Sequence, residues 1–178
     1  MYGSTGRLLV LAVATTGLLS FAGVAGCIGS AGGEAGDAAG SAARRKFPLE
    51  TLPTTTIAID DQTLRVWLVL DAERREEGMM FVPAEEIADD QGMLFVFPDE
   101  RYLGFWMKNT ITPLDIAYAR SDGTIVTIHT MPPLTLQTFP SIEPARFALE
   151  VKAGTFERLG IRAGDRLDIP DDVFKASP

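Results

Sequence analysis

A single cysteine and a single histidine stand among the 178 residues of this chain, and each scarcity closes off a class of chemistry. With Cys27 alone there is no disulfide framework, so the fold must rest on a hydrophobic core. With His129 alone, in "TIVTIHTM", a zinc site has no set of histidine and cysteine ligands. Positive charge is also in deficit. Lys and Arg number 16 against 24 Asp and Glu, and the net charge of -8 argues against nucleic acid as a partner. No phosphate-binding glycine loop occurs, and Asp60-Asp61, Asp89-Asp90 and Asp171-Asp172 lack the spacing of an EF-hand calcium loop. Ser141, His129 and Asp115 complete the inventory of a hydrolytic triad, but no Gly-x-Ser-x-Gly elbow surrounds the serine. No cofactor and no metal are therefore expected, and no internal repeat is visible.

What is present begins with an export signal. Arg7 precedes "LLVLAVATTGLLSFAGVAG", an apolar run rich in Ala and Gly that closes on small residues. Its end, Val24-Ala25-Gly26-Cys27, resembles the lipobox of bacterial lipoproteins, whose signal is cut before a cysteine that then carries lipid. Residues 1–26 are accordingly expected to be a lipoprotein signal peptide. The mature protein would be extracytoplasmic and anchored in a membrane through lipid on Cys27. Residues 27–47, rich in Gly, Ala and Ser, read as a flexible tether. The basic cluster Arg44-Arg45-Lys46 at its end could touch anionic headgroups or simply be solvated.

Residues 48–174 read as one β-rich domain, because short apolar runs alternate with turn residues throughout. "TTTIAID" and "TLRVWLVL" form a hairpin across Asp60-Asp61-Gln62, with Ile57, Ile59, Leu64, Val66 and Leu68 alternating inward and Trp67 facing the other way. Asp71 can cap a short helix over "AERREE" that Gly78 stops, although Glu76 and Glu77 sit at the wrong end for its dipole. "GMLFVF", "GFWMK", "LDIAYA", "TIVTIHTM" and "RFALEV" are strands by their β-branched and aromatic content. "AGTFERLG" is a second short helix, and "GIRAGDRLDI" ends in a last strand. The fold class is mainly β (α+β), a compact barrel-like domain with two short helices.

Five blocks, "GMMF", "GMLFVFP", "FWMKNTITPLDIAY", "PSIEPARFALEV" and "LGIRAGDRL", resemble the bacterial and archaeal family catalogued as domain of unknown function 192. The Trp-Met-Lys-Asn-Thr block is its most specific element. The resemblance implies a compact, β-rich, barrel-like domain with small helices, often exported, and no known reaction. Two positions depart from the family pattern: Val82 replaces an arginine and Phe139 a tyrosine. Trp106, Lys108, Asn109, Asp115, Ser141 and Glu150 keep the family types.

In "GFWMKNTITPLD", an extended chain would put Phe105 and Met107 on one face and Trp106 and Lys108 on the other. Trp106, Lys108 and Asn109 could then floor a ligand site of aromatic and polar character. Equally, Lys108 could snorkel over a half-buried Trp106 while Asn109 makes a turn. Asp115 and Glu150 interrupt otherwise apolar strands, where charges seldom sit unpaired, and Lys108 is the obvious partner for either. Three functional readings follow: a module binding a small ligand or envelope component such as a glycan, an enzyme using Asp115 or Glu150 as acid or base, and a structural accessory of the envelope. Replacing Cys27 with Ser tests the anchoring. The variant should be released from membranes or left as uncut precursor in cell fractionation, and unchanged processing and partition would overturn the lipoprotein reading.

Overall fold

The structure is a computed structural model that describes residues 45–175. The expected signal peptide, Cys27, Arg44 and most of the tether lie outside the described residues. β1 (Thr54–Ile59) and β2 (Gln62–Val69) form the expected hairpin, turned at Asp60 with φ of 53°. Aspartate tolerates this left-handed conformation because its short side chain bonds locally. α1 (Ala72–Glu77) follows, its first turn capped by Asp71, which accepts the Arg74 amide at 2.9 Å. Next come β3 (Gln91–Arg101), β4 (Gly104–Phe105), β5 (Leu114–Ala119), β6 (Ile125–Met131), β7 (Phe139–Pro140) and β8 (Ala145–Lys152). α2 (Thr155–Leu159), β9 (Leu167–Asp168) and α3 (Asp171–Lys175) complete the chain.

Seven strands in the order β6-β5-β8-β3-β2-β1-β9 form a sheet curled into a half-barrel, and β4 pairs separately with β7. The pairing is antiparallel except between β2 and β3, whose parallel register requires a crossover that α1 supplies. Both faces of the sheet are buried. Ile57, Ile59, Leu64, Val66 and Leu68 join Leu94, Phe147 and Leu149 on one face, which Phe156 of α2 and Val173 of α3 help to close. Trp67, Val69, Met93, Phe95, Ile116 and Tyr118 belong to the other, covered by residues around Leu49, Met79, Met107 and Phe139. The alternation expected for the first hairpin is thus met, with Trp67 opposite to Leu68.

Three differences from the sequence reading have physical causes. α3 is a third short helix, too brief to show a period in the sequence and held by packing of Val173. "GFWMK" is strand only at Gly104–Phe105, because the chain turns where Asn109 takes φ of 58°. Arg45 is neither solvated nor free for lipid: it is buried, and its Nη1 donates to the carbonyls of Gly78 at 2.9 Å and Met80 at 2.7 Å. Glu77, badly placed for the dipole of α1, accepts instead from the amides of Lys46 at 2.6 Å and Phe47 at 2.9 Å.

Gly92 sets how closely β3 approaches β8. A Cβ there would lie 2.6 Å from the Glu150 carbonyl oxygen and 2.9 Å from Val151 Cγ1, closer than atoms pack. Gly92→Ala should therefore cost about 1 to 3 kcal/mol in urea denaturation, as overpacking typically does. An unchanged midpoint would show that the two strands separate without cost.

Candidate functional site

Strand register separates the two carboxylates that sequence reasoning had grouped. On β5, Asp115 stands opposite Val151 of β8, whereas Glu150 stands opposite Ile116. Directly paired residues share a face and successive residues alternate, so Asp115 and Glu150 leave the sheet on opposite sides. Asp115 is buried and satisfied. Its Oδ1 accepts the Thr130 hydroxyl at 2.7 Å, and its Oδ2 accepts the Phe156 amide in the first turn of α2 at 3.4 Å. It ties β6 and α2 to β5.

Glu150 sits between Met93 of β3 and Ile116 of β5, each fully buried, and is itself 4% exposed. Its carboxyl faces a cavity of about 300 Å³ walled by Met79, Met80, Phe95, Phe105 and Trp106, with Arg75 and Glu76 contributed by α1. Among the described residues no side chain or amide hydrogen-bonds or ion-pairs with it. Burial in these surroundings pushes its pKa up to about 8, so the carboxyl is mostly protonated at neutral pH. The phenol of Tyr118 is likewise pushed up, first by burial and then by nearby Glu150, and it donates to the Phe139 carbonyl at 2.7 Å. Phe105 packs edge-on between Phe95 and Tyr118, at ring-centre distances of 4.8 and 5.8 Å.

Of the two carboxylates within the apolar strands, the cavity therefore joins Trp106 to Glu150 and not to Asp115. Lys108 is exposed, forms no ion pair among the described residues, and rests 5.2 Å from the centre of the Trp106 ring. This is the snorkelling arrangement, and the expected partnership of Lys108 with Asp115 or Glu150 is absent. Asn109 makes the turn, its carbonyl accepting the Phe81 amide at 2.9 Å and its side-chain amide meeting Met80 Sδ at 3.8 Å. Ser141 lies elsewhere: its buried hydroxyl accepts from the Leu103 amide at 3.0 Å and donates to the Glu143 carbonyl at 2.6 Å. His129 Nε2 meets the Pro140 carbonyl at 2.8 Å, and Asp115 is on the far face, so no triad forms.

A sequence profile described as "Uncharacterized ACR", the domain of unknown function 192, matches residues 55–169. The chain belongs to this family. Among solved structures it is similar to a protein from Sinorhizobium meliloti 1021 described as a candidate transcription regulator, with 40% identity and a TM-score of 0.62 over 66% of this chain and 94% of that one. It is also similar to a protein of unknown function from Novosphingobium aromaticivorans, with 28% identity and a TM-score of 0.65 over 68% of this chain and 89% of the other. No curated protein matches.

In this member of the domain of unknown function 192 family, sequence reasoning missed most of the cavity wall. Met79 and Met80 stood out only within a family block and Phe95 and Phe105 only within strands, and nothing local distinguishes a methionine that lines a cavity from one that fills a core. Arg75 was legible only as a helix residue. Glu150 yields a pH prediction. A carboxyl whose folded pKa exceeds its unfolded value, near 4.5, destabilises the fold progressively as pH rises from there to about 8, by about 1.4 kcal/mol per pH unit, and then levels off. Glu150→Gln has no such proton to lose. Its stability should fall less steeply than the parent's across that window in denaturant titrations, and parallel pH profiles would refute the assignment.

Proposed function

We propose that this chain is an extracytoplasmic, lipid-anchored module that binds a small ligand, or a small end-group of an envelope component, in the Glu150 cavity. One observation carries the reading: a buried carboxyl without a protein partner opens into a methionine- and aromatic-lined cavity of about 300 Å³. Leaving such a group unpaired costs stability, and a ligand that hydrogen-bonds or neutralises it recovers that cost on binding. The volume is at the lower end of small-molecule sites, which suits a compact ligand. Trp106, 44% exposed, provides a ring at the mouth on which a sugar or other flat group can stack. The anchoring half of the proposal is supported by the export signal and by Val24-Ala25-Gly26-Cys27.

A second reading, acid catalysis, has one observation in its favour, namely that Glu150 holds its proton up to about pH 8 and could release it near neutrality. Asp115 cannot serve as its partner base from the opposite face, so that chemistry would rest on Glu150 alone. The description of the Sinorhizobium protein as a candidate transcription regulator does not transfer to this chain, whose net charge of -8 opposes DNA binding.

A fragment screen on the folded protein, followed through the indole N–H resonances, tests the binding reading. Compounds that bind should shift the Trp106 signal and leave that of buried Trp67 in place. They should lose most of their effect in Glu150→Gln. A diverse set that fails to move Trp106 at millimolar concentration would overturn the proposal.

A further inference from the structure

The charges lining the Glu150 cavity are not equally available. Arg75 donates to the carbonyls of Leu70 at 2.5 Å and Val96 at 3.0 Å, and its guanidinium lies 4.8 Å from the centre of the Phe97 ring. Glu77 answers Arg45 at 3.6 Å and two backbone amides. Glu76 lines the cavity from an exposed position, whereas Glu150 is buried and has no ion pair among the described residues. Arg75 is engaged by backbone carbonyls, so the buried Glu150 carboxyl is the group on this cavity that a cationic ligand can answer, by taking the place of its proton.

The walls indicate which kind. A metal ion requires several oxygen ligands, and no cluster of three or more His, Cys, Asp or Glu is arranged to hold one among the described residues. Around Glu150 stand the rings of Phe95, Phe105 and Trp106 with the thioethers of Met79 and Met80. Ring faces attract cations through their quadrupole, and Trp106 already holds Lys108 at 5.2 Å. Such walls are unable to hydrate a small ion but can enclose one whose charge is spread over carbon.

We propose that the cavity takes an organic cation, a protonated or quaternary amine, with Glu150 as its counter-ion and the aromatic rings around its alkyl groups. The inference rests on the small-ligand reading and names the ligand class for the same site. Charge balances without a co-reactant: a quaternary amine enters, the Glu150 proton leaves to solvent, and the cavity keeps its net charge. The other titratable groups around the cavity are Tyr118 on β5, pushed up by burial and by Glu150, and Arg75, Glu76 and Glu77 on α1, with Lys108 beyond Trp106. Opposite on β3 stands uncharged Met93.

Calorimetric titration of the folded chain with choline, and with its uncharged carbon isostere dimethylbutanol, tests this. Choline should bind more tightly than the alcohol, and its affinity should rise by about 10-fold per pH unit until about pH 8, where Glu150 is ionised, then level off. The heat should vary with the buffer, reporting release of a proton. Glu150→Gln should lose the pH dependence and at least about 10-fold of choline affinity while keeping that for the alcohol. If dimethylbutanol binds as well as choline, or choline affinity is flat with pH, the cation assignment is wrong while the small-ligand reading stands. If neither compound binds, the cation assignment falls, and the fragment screen separately decides the broader reading.

Discussion

Because β8 runs between β3 and β5, Glu150 stands between Met93 on one side and Ile116 on the other, buried beside the cavity that it helps to line. Most of the chemistry of this domain descends from that register. A carboxyl forced into an apolar layer without a partner takes up a proton instead of holding a charge, which is why its pKa rises to about 8. The neighbouring phenol of Tyr118 is affected in turn. Close approach of the two strands depends on Gly92, whose missing Cβ leaves room for the Glu150 backbone.

The same pairing sends Asp115 to the opposite face, where it acts as scaffold. There a hydroxyl and an amide satisfy it, and its position between β6 and the first turn of α2 helps to close that face. Two carboxylates thirty-five positions apart in the chain thus differ in role by one step of strand alternation. Hydrogen bonding ties Asp115 into the scaffold, whereas among the described residues Glu150 has no such bond.

Beyond Phe105 the Trp-Met-Lys-Asn-Thr block is a turn pinned by hydrogen bonds and not a strand. Met107 is fully buried and anchors it, its amide donating to the Thr135 carbonyl at 3.0 Å. The Asn109 carbonyl holds the Phe81 amide, and the Thr112 hydroxyl donates to the Val82 carbonyl at 2.7 Å. Those contacts bind the segment after α1 to the sheet, with Trp106 and Met80 left as walls of the space between. Arg45 secures the same segment from the N-terminal side. Lys108 and Asn109, the polar residues that first suggested a site, serve the outer edge of this arrangement.

Much of the fold was legible because it is local. Period-two alternation assigned Ile57, Leu64 and Val66 to one face and Trp67 to the other, and Asp71 and Gly78 bounded α1 as their capping chemistry requires. The family resemblance, too, needed only the residues. Local pattern failed where long-range pairing decides. It could not say that Glu150 pairs with Ile116 and Asp115 with Val151, because the parity of a strand is known from its sequence but its register against distant strands is not. Nor could it distinguish Met79, Phe95 and Phe105 as cavity walls from ordinary core, since a void is a property of how layers fail to meet. The sequence by itself determined a strand-rich domain and the presence of two carboxylates within its apolar strands. Only the tertiary structure decided which of them is hydrogen-bonded and which lines the cavity, because that depends on neighbours brought together across the sheet.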